Sequence, residues 1–259
     1  RRFCLPVSGR LEKALGDHRP ANATCPPFRG PIDRVSMTYL EPFTSPDGGG
    51  LPAGIIARMV EHGSAAFDGT PLSPEDVVRV SRMKAPDRRQ ELDRSLRAVQ
   101  RVLPDWLGRP AADCTIIRDS KGAPTLPTLP GTRISLSRTE GWTAVALSPS
   151  GPIGIDVERI RPLEWQPMLS MVCAPEEARL LLGLDHGVLD AFYRLWTAKE
   201  AVMKAAGEGF RMGAPKLRLP DAFLTGNASA ASLSGAHGTY DVRCAQQGDL
   251  MVSLAMAAD

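Results

Sequence analysis

The clearest periodic pattern in the chain lies in residues 151–158, which read GPIGIDVE. Apolar residues occupy every second position: Ile153, Ile155 and Val157. This period of two predicts a half-buried β-strand. Asp156 and Glu158 are also two residues apart, so both carboxylates project from one face. Adjacent negative charges repel each other, and a divalent cation is the usual compensation; the alternative is a solvated face with two ordinary acids.

Residues 191–206, AFYRLWTAKEAVMKAA, have helical spacing instead. Their apolar positions are Phe192, Leu195, Trp196, Ala198, Val202 and Met203. Glu200 and Lys204 stand four residues apart on one face, next to Lys199. A helix that follows the strand can bring Glu200 beside the two strand acids, and three carboxylates with a lysine suit Mg²⁺ at a phosphate ester. The alternative is an ordinary surface ion pair on a helix.

Two more helices are predicted in the first half of the chain. Ser73 suits an N-cap and Pro74 a first helical position. The apolar residues expected to pack inward from this helix are Val77, Val78, Val80 and Met83. A second helix opens at residues 85–88, and its apolar stripe consists of Leu92, Leu96, Val99, Val102 and Leu103. Pro175 marks a later helix start.

Strand patterns complete the picture. Residues 143–147 (TAVAL) are a buried-strand candidate, and residues 65–67 a short strand. Alternation at 240–244 and again at 251–256 predicts antiparallel strands that close a sheet. Periodicity alone therefore indicates a mixed α and β fold.

The first 63 residues are rich in proline and glycine, which predicts an irregular extension or linker. Within it we predict one strand at 34–40 and one short helix at 55–61. The chain is accordingly divided into 1–63, the extension; 64–150, a first half; and 151–259, a second half that carries the acidic motifs.

Composition narrows the class of protein. With 259 residues, 43% hydrophobic and 23% charged, the chain has the make-up of a globular protein. Its net charge of +2 is too small to predict a nucleic-acid partner, and no apolar run predicts a membrane span or signal peptide. The five scattered cysteines and four histidines show no metal-ligand spacing. We expect reduced thiols, histidines that serve as surface or packing residues, and a cytoplasmic location.

GIDVE followed by WTAKEAVMK resembles the two signature motifs of the 4′-phosphopantetheinyl transferases, of the larger surfactin-synthetase-activating (Sfp-like) type. Those motifs run G-[IV]-D-[IV]-E and [FW]-[SCT]-x-K-E-[SA]-x-x-K. Every position is filled here by an allowed residue, with Thr197 as the small hydroxyl residue. The resemblance implies an α+β fold of two similar halves related by pseudo-twofold symmetry.

The resemblance also implies an activity. Members of the family transfer the 4′-phosphopantetheine arm of coenzyme A to a serine of an apo acyl or peptidyl carrier protein, in polyketide or nonribosomal peptide biosynthesis. Adenosine 3′,5′-bisphosphate leaves. In that scheme Asp156, Glu158 and Glu200 hold Mg²⁺, Glu200 removes the serine proton, and Lys204 offsets charge on the pyrophosphate.

The coenzyme A contacts follow from the same resemblance. The family places a basic residue after a Pro-acidic pair, which is Arg88 here, with Arg82 and Lys84 as further candidates. Arg138 stands where the family has a histidine that contacts the 3′-phosphate. The residues predicted to contact coenzyme A are Arg88, Lys121, Ser137, Arg138, Lys199 and Lys204.

The chain departs from the family pattern at two further positions. Ala123 occupies the lysine position of the family's G-K-P motif, and Ser135 replaces an asparagine. Lys121 is expected to reach the place of the missing lysine.

Two rival hypotheses remain from the sequence. The departures from the pattern motivate an inactive module that holds coenzyme A or a carrier without turnover. The same three acids would also serve a metal-dependent phosphoesterase. The linker-like first residues and the absence of an initial Met suggest a domain of a larger synthase chain.

Overall fold

Two antiparallel sheets and the helices packed on them form the described part of the protein, a computed structural model that covers residues 39–43, 50–63, 65–235 and 238–258. The first sheet, in spatial order β1-β2-β6-β5-β4-β3, consists of β1 (Tyr39–Leu40), β2 (Ile56–Glu61), β3 (Ile117–Arg118), β4 (Pro124–Thr125), β5 (Arg133–Thr139) and β6 (Trp142–Ser148). The second, in order β7-β10-β9-β8, consists of β7 (Ile153–Arg159), β8 (Ala230–Gly235), β9 (Gly238–Gln247) and β10 (Leu250–Ala257). The fold is therefore mixed α/β, as the periodicity predicts.

The helices are α1 (Pro74–Ser81), α2 (Pro86–Leu107), α3 (Leu169–Val172), α4 (Pro175–Leu182), α5 (Val188–Ala205) and α6 (Asp221–Leu224). The predicted starts of α1 and α4 are confirmed, and Ser73 caps α1 by accepting a hydrogen bond from the Asp76 amide at 3.1 Å. None of the helices in the described ranges is long and apolar enough to cross a bilayer.

The first sheet is covered on both faces. Strand β6 alternates between them: Val145 and Leu147 pack with the confirmed apolar stripe of α2, whereas Ala144 and Ala146 face β7 and β10. The small alanines allow the second sheet to approach closely, and protein cores of this kind are packed as densely as organic crystals. The residues of β7 that lie in this shared core are Ile153, Ile155 and Val157.

Helix α5 covers the other face of β7. A Cβ built on Gly154 would lie 1.9 Å from the Ala201 carbonyl oxygen and 2.6 Å from the Ala205 amide nitrogen, so helix and strand nearly touch. The strand predicted at 151–158 is confirmed, but both of its faces are buried, not one. The face with Asp156 is covered by the helix that carries Glu200.

Three expectations on the N-terminal side were wrong: a helix at 55–61, a strand at 65–67, and the inward packing of the valines of α1. Residues 55–61 do not form a helix: Ile56–Glu61 is strand β2, which pairs along β6. Six residues rich in apolar and β-branched side chains favour a strand once a partner is available. Residues Ala65–Phe67 form a 3₁₀ turn, not a strand. Of the strand predicted at 34–40, Tyr39–Leu40 lies in β1 and the rest lies outside the described residues.

The third error concerns α1. Val77 and Val78 are 53% and 46% exposed, although inward packing was expected. The helix instead turns Asp76 inward, with only 7% of its surface exposed, and Arg79 beside it is half-buried. A face with a buried acid and a half-buried guanidinium indicates a polar site below α1.

Candidate active site

Asp156 lies at the centre of a polar cluster between the two sheets. It is 4% exposed, and its Oδ1 accepts hydrogen bonds from Ser137 Oγ and from Lys204 Nζ, each at 2.7 Å. Lys204 Nζ also donates to the Ile155 carbonyl at 3.0 Å. Asp156 Oδ2 is buried and has no hydrogen-bond partner. One oxygen of this carboxylate is therefore fully used, and the other is available to a ligand.

Glu200, on α5, provides a second, half-buried carboxylate near Asp156. Its Oε1 is also buried without a hydrogen-bond partner. Burial and the negative charge of Asp156 raise the pKa of Glu200 to about 7, against the opposing charge of Lys204. A carboxyl with that pKa exchanges protons readily near neutral pH, as a general base must.

Glu158 completes the acidic group. Its pKa rises to about 8, first because of burial and then because of Asp156, whereas Lys204, Arg161 and a hydrogen bond from Trp196 oppose the rise. Asp156 and Lys204 thus act on both Glu158 and Glu200. That the three acids share one ion, as expected from the sequence, stays a prediction.

The donor atoms suit a hard divalent cation. Asp156 Oδ2 and Glu200 Oε1 are buried oxygens without partners, and carboxylate oxygens are the ligands that Mg²⁺ prefers. Across the described ranges, however, no three His, Cys, Asp or Glu side chains form a ready group of metal ligands. Lys204 offsets the charge of Asp156 in this arrangement. Asp156 and Glu200 each present one unpartnered oxygen. The binding of one ion by all three acids together stays a proposal.

The raised pKa values predict an unusual pH dependence. Because Glu158 and Glu200 titrate near 8 and 7 instead of 4.5, the folded protein holds more protons than the unfolded chain between those limits. Stability of the metal-free protein should therefore fall as the pH rises from about 5 to about 8. Because metal binding requires deprotonated carboxylates, Mg²⁺ should raise the melting temperature more at the upper end.

Melting curves with a chelator and with Mg²⁺ across that pH range measure both effects. A Glu158→Gln variant is the control, since it should flatten the decline of the metal-free protein. A metal-free melting temperature that climbs steadily over the same range, in the protein and in the variant alike, would contradict the assignment.

Lys199 has a different environment from the one predicted. Only 2% exposed, its ammonium donates to the Val172 carbonyl at 2.8 Å and to Glu177 Oε2 at 2.5 Å. Glu177 Oε1 accepts in turn from the Leu219 amide at 2.8 Å. Lys199 was predicted to contact coenzyme A, but its ammonium is enclosed by protein, and the geometry gives it the role of fixing α5 to α4.

A second polar cluster consists of Arg79 on α1, Arg118 on β3 and Arg138 on β5, here called the arginine cluster. Arg79 Nη1 and Arg118 Nε are buried without a hydrogen-bond partner. Burial and then the charge of Arg79 lower the pKa of Arg118 to about 10. Arg138 is exposed on β5 and also lies within the influence of the Arg79 charge. Asp76, buried on the same face of α1, opposes part of this repulsion at Arg118. The unused guanidinium donors have the chemistry to bind an anion.

Of this cluster the sequence predicts Arg138 alone. Arg79 stands among many basic residues of a helical region, and Arg118 precedes the loop at 119–123 without any motif. Their proximity depends on how α1, β3 and β5 meet in space. The signal that could have indicated Arg79 is the polar inward face of α1.

The other basic candidates lie apart. Arg88 is exposed in the first turn of α2, and within the described residues no hydrogen bond or ion pair involves it. Lys121 is exposed and pairs with Glu208 at 3.1 Å, across from the end of α5. Arg82 and Lys84 are exposed as well. These residues stay predictions as coenzyme A contacts.

A buried network supports the hairpin that carries Arg138. His62 is 1% exposed, and its Nε2 lies 2.7 Å from Glu91 Oε1, which also accepts from the Gly141 amide at 2.9 Å. The His62 amide donates to the Gly141 carbonyl at 2.9 Å. Burial lowers the pKa of His62, whereas the hydrogen bond and the negative charge of Glu91 oppose that shift. This histidine is a packing residue, one of the two roles that the sequence predicts.

The described residues thus hold two polar clusters, one of carboxylates with a lysine around Asp156 and one of guanidinium groups around Arg138, which supply ligands for a cation and donors for an anion. The model of the "4'-phosphopantetheinyl transferase superfamily" matches residues 152–253, which include both acidic motifs. The resemblance predicted from those motifs is thereby confirmed, and this region of the chain is related to the 4′-phosphopantetheinyl transferases.

Individual relatives agree. The transferase HetI of a Nostoc species is 29% identical over 143 residues, which are 53% of this chain and 60% of HetI. The transferase Sfp of Bacillus subtilis is 28% identical over 154 residues, 55% of this chain and 68% of Sfp. AcpT of Salmonella typhimurium is 31% identical over 103 residues, 39% of this chain and 54% of AcpT. The chain thus spans between half and about two thirds of these relatives.

Proposed function

We propose that this protein transfers the 4′-phosphopantetheine arm of coenzyme A to a serine of an apo acyl or peptidyl carrier protein. The observation that carries the proposal is the grouping of Asp156, Glu200 and Lys204, in which each acid has one buried carboxylate oxygen without a hydrogen-bond partner. Names of the relatives support the same reaction. A role in polyketide or nonribosomal peptide biosynthesis, and the pseudo-twofold relation of the halves, belong to the proposal.

The chemistry assigns a task to each residue. Glu200 accepts the proton of the carrier serine, whose oxygen forms a bond to the phosphorus that bears the pantetheine arm. The bond from that phosphorus to the bridging oxygen breaks, and adenosine 3′,5′-bisphosphate leaves with the electron pair. Lys204 offsets the negative charge that grows on the leaving phosphate.

Asp156, Glu158 and Glu200 are the residues that would hold Mg²⁺. When bound, the ion would neutralise the pyrophosphate and polarise the attacked phosphorus. Once Glu158 and Glu200 are deprotonated, the three negative charges exceed the single positive charge of Lys204, which favours an added cation.

The arginine cluster is proposed to bind the 3′-phosphate of coenzyme A. In the family a histidine at the position of Arg138 contacts that group, and Arg79 and Arg118 bring unused buried donors to the same place. Arg118 would supply the positive charge that Ala123 lacks. Guanidinium groups are well suited to phosphate because they donate two parallel hydrogen bonds.

A substitution at Arg118 tests this assignment. Arg118→Gln should raise the KM for coenzyme A about 10-fold, since a charged hydrogen bond contributes ~1.5–3 kcal/mol. The KM for 3′-dephospho-coenzyme A, and kcat, should change little. Arg109→Gln, in the turn that follows α2, is the matched control. An equal rise in KM for both nucleotides would remove the 3′-phosphate from this cluster.

Mass spectrometry tests the reaction itself. Apo acyl and apo peptidyl carrier proteins are incubated with the protein, coenzyme A and Mg²⁺, and addition of the phosphopantetheine arm is the expected result. Binding of coenzyme A without that addition would favour the inactive module. Release of nucleotide in the absence of any carrier would favour the phosphoesterase.

A further inference from the structure

Strand β7 lies at the edge of its sheet, and hydroxyl groups of β5 bond to backbone amides on that edge. The two strands belong to different sheets, and β7 is the edge strand of the second. Ser135 Oγ accepts from the Ile155 amide at 3.1 Å, and Thr139 Oγ1 accepts from the Arg159 amide at 3.1 Å. Side chains thus bond to edge amides that a neighbouring strand would otherwise bind.

Ser137 lies between these two residues and differs from them in its partner. It donates to the Asp156 carboxylate at 2.7 Å, not to the backbone. Residues two apart on a strand point to the same face, so the three hydroxyls form one row, here called the hydroxyl row. The hydroxyl row joins β5 of the first sheet to β7 of the second directly beside Asp156.

The geometry points to Ser137 as a positioning residue for Asp156. Ser137 and Lys204 both bond Oδ1, which fixes the rotation of the carboxylate and leaves Oδ2 as its free oxygen, buried without a partner. In this arrangement Ser137 orients the acid that is proposed to bind the metal, whereas the sequence analysis expects Ser137 to contact coenzyme A. Partners that orient a ligand typically change metal affinity about 10–100-fold when they are removed.

This inference rests on the proposed function, in which Asp156 holds a divalent cation. The hydrogen bond that Ser137 donates to Asp156 also argues against a direct contact between Ser137 and coenzyme A. A hydroxyl that donates to one carboxylate oxygen has spent its single proton, and its remaining lone pairs can only accept. A phosphate oxygen needs a donor, so Ser137 in this arrangement is unsuited to bind one.

Mn²⁺ binding to the protein alone, followed by electron paramagnetic resonance, tests the inference without any turnover. Ser137→Ala should weaken Mn²⁺ binding about 10-fold or more. Ser137→Thr, which keeps the hydroxyl, should restore it. Thr139→Val removes another member of the hydroxyl row at nearly equal volume and should leave Mn²⁺ binding at the level of the unchanged protein.

Steady-state kinetics separate the two roles of Ser137. The positioning role lowers kcat at subsaturating Mg²⁺ and leaves the KM for coenzyme A near its original value. Unaltered Mn²⁺ affinity in a folded Ser137→Ala protein would overturn the inference, and a raised KM for coenzyme A beside it would assign Ser137 to the nucleotide instead. If melting curves show that this variant is unfolded, Ser137→Cys, whose thiol is a weak donor, decides by the same criterion.

Failure of the proposed function would be distinguishable from failure of this inference. An unchanged protein that modifies no carrier would contradict the transferase reaction, whereas the Mn²⁺ measurement on the Ser137 variants would still support or overturn the positioning role.

Discussion

Glu200→Gln is expected to lower the rate of carrier modification by about 10³-fold, the loss typical of a removed general base. The amide cannot accept the serine proton, and it is a poorer ligand for a hard cation. Because Glu200 is partly desolvated and lies near Asp156, its negative charge is costly in the metal-free protein. The same substitution should therefore raise the metal-free melting temperature at pH 8, where the carboxylate would be ionised.

A substitution that lowers the rate of transfer and raises the melting temperature identifies a residue whose role is catalytic and not structural. Glu176→Gln provides a matched control, because Glu176 lies on α4 with 43% of its side chain exposed and pairs only with Arg179 among the residues that the structure describes. That change should alter the free energy of unfolding by about 0.5 kcal/mol at most and should preserve transfer. A Glu200→Gln protein that transfers within tenfold of the original rate would remove the assignment of the base.

The elements that could be predicted from the sequence are those whose signal is local. Strand β7, helix α2 and helix α5 each show their period within a few turns or pleats, and Ser73 with Pro74 marks a helix start directly. The juxtaposition of Glu200 with Asp156 required the family resemblance as well. Neither pattern alone establishes that a helix crosses a particular strand.

The parts that could not be predicted depend on partners distant in the chain. Strand β2 is too short for a clear period, and its pairing with β6 decides its conformation. Arg79 and Arg118 became candidates only when α1 and β3 were seen beside Arg138. Lys199 belongs to a signature motif, and nothing local indicates that its ammonium is paired with Glu177. In each case a contact between separate elements overrides the local expectation.

Gly154→Ala is expected to lower the free energy of unfolding by about 3 kcal/mol, the upper range for overpacking. The added methyl would lie 1.9 Å from the Ala201 carbonyl oxygen and 2.6 Å from the Ala205 amide, and both obstacles are backbone atoms of α5. A side chain could rotate aside, but a helix must move as a whole. Either α5 separates from β7 or the strand shifts.

The displacement should also affect catalysis, because α5 carries Glu200 and Lys204 whereas β7 carries Asp156. A misplacement of about 1 Å can cost about 10²-fold in rate, so kcat of the folded Gly154→Ala protein should fall by that factor. Gly151→Ala is the matched control: its Cβ would meet only Ser148 Oγ at 4.0 Å. Urea denaturation and kcat measured on both variants test the argument. A Gly154→Ala protein of unchanged stability and rate would refute it, since the close approach of helix and strand is what brings the acids together.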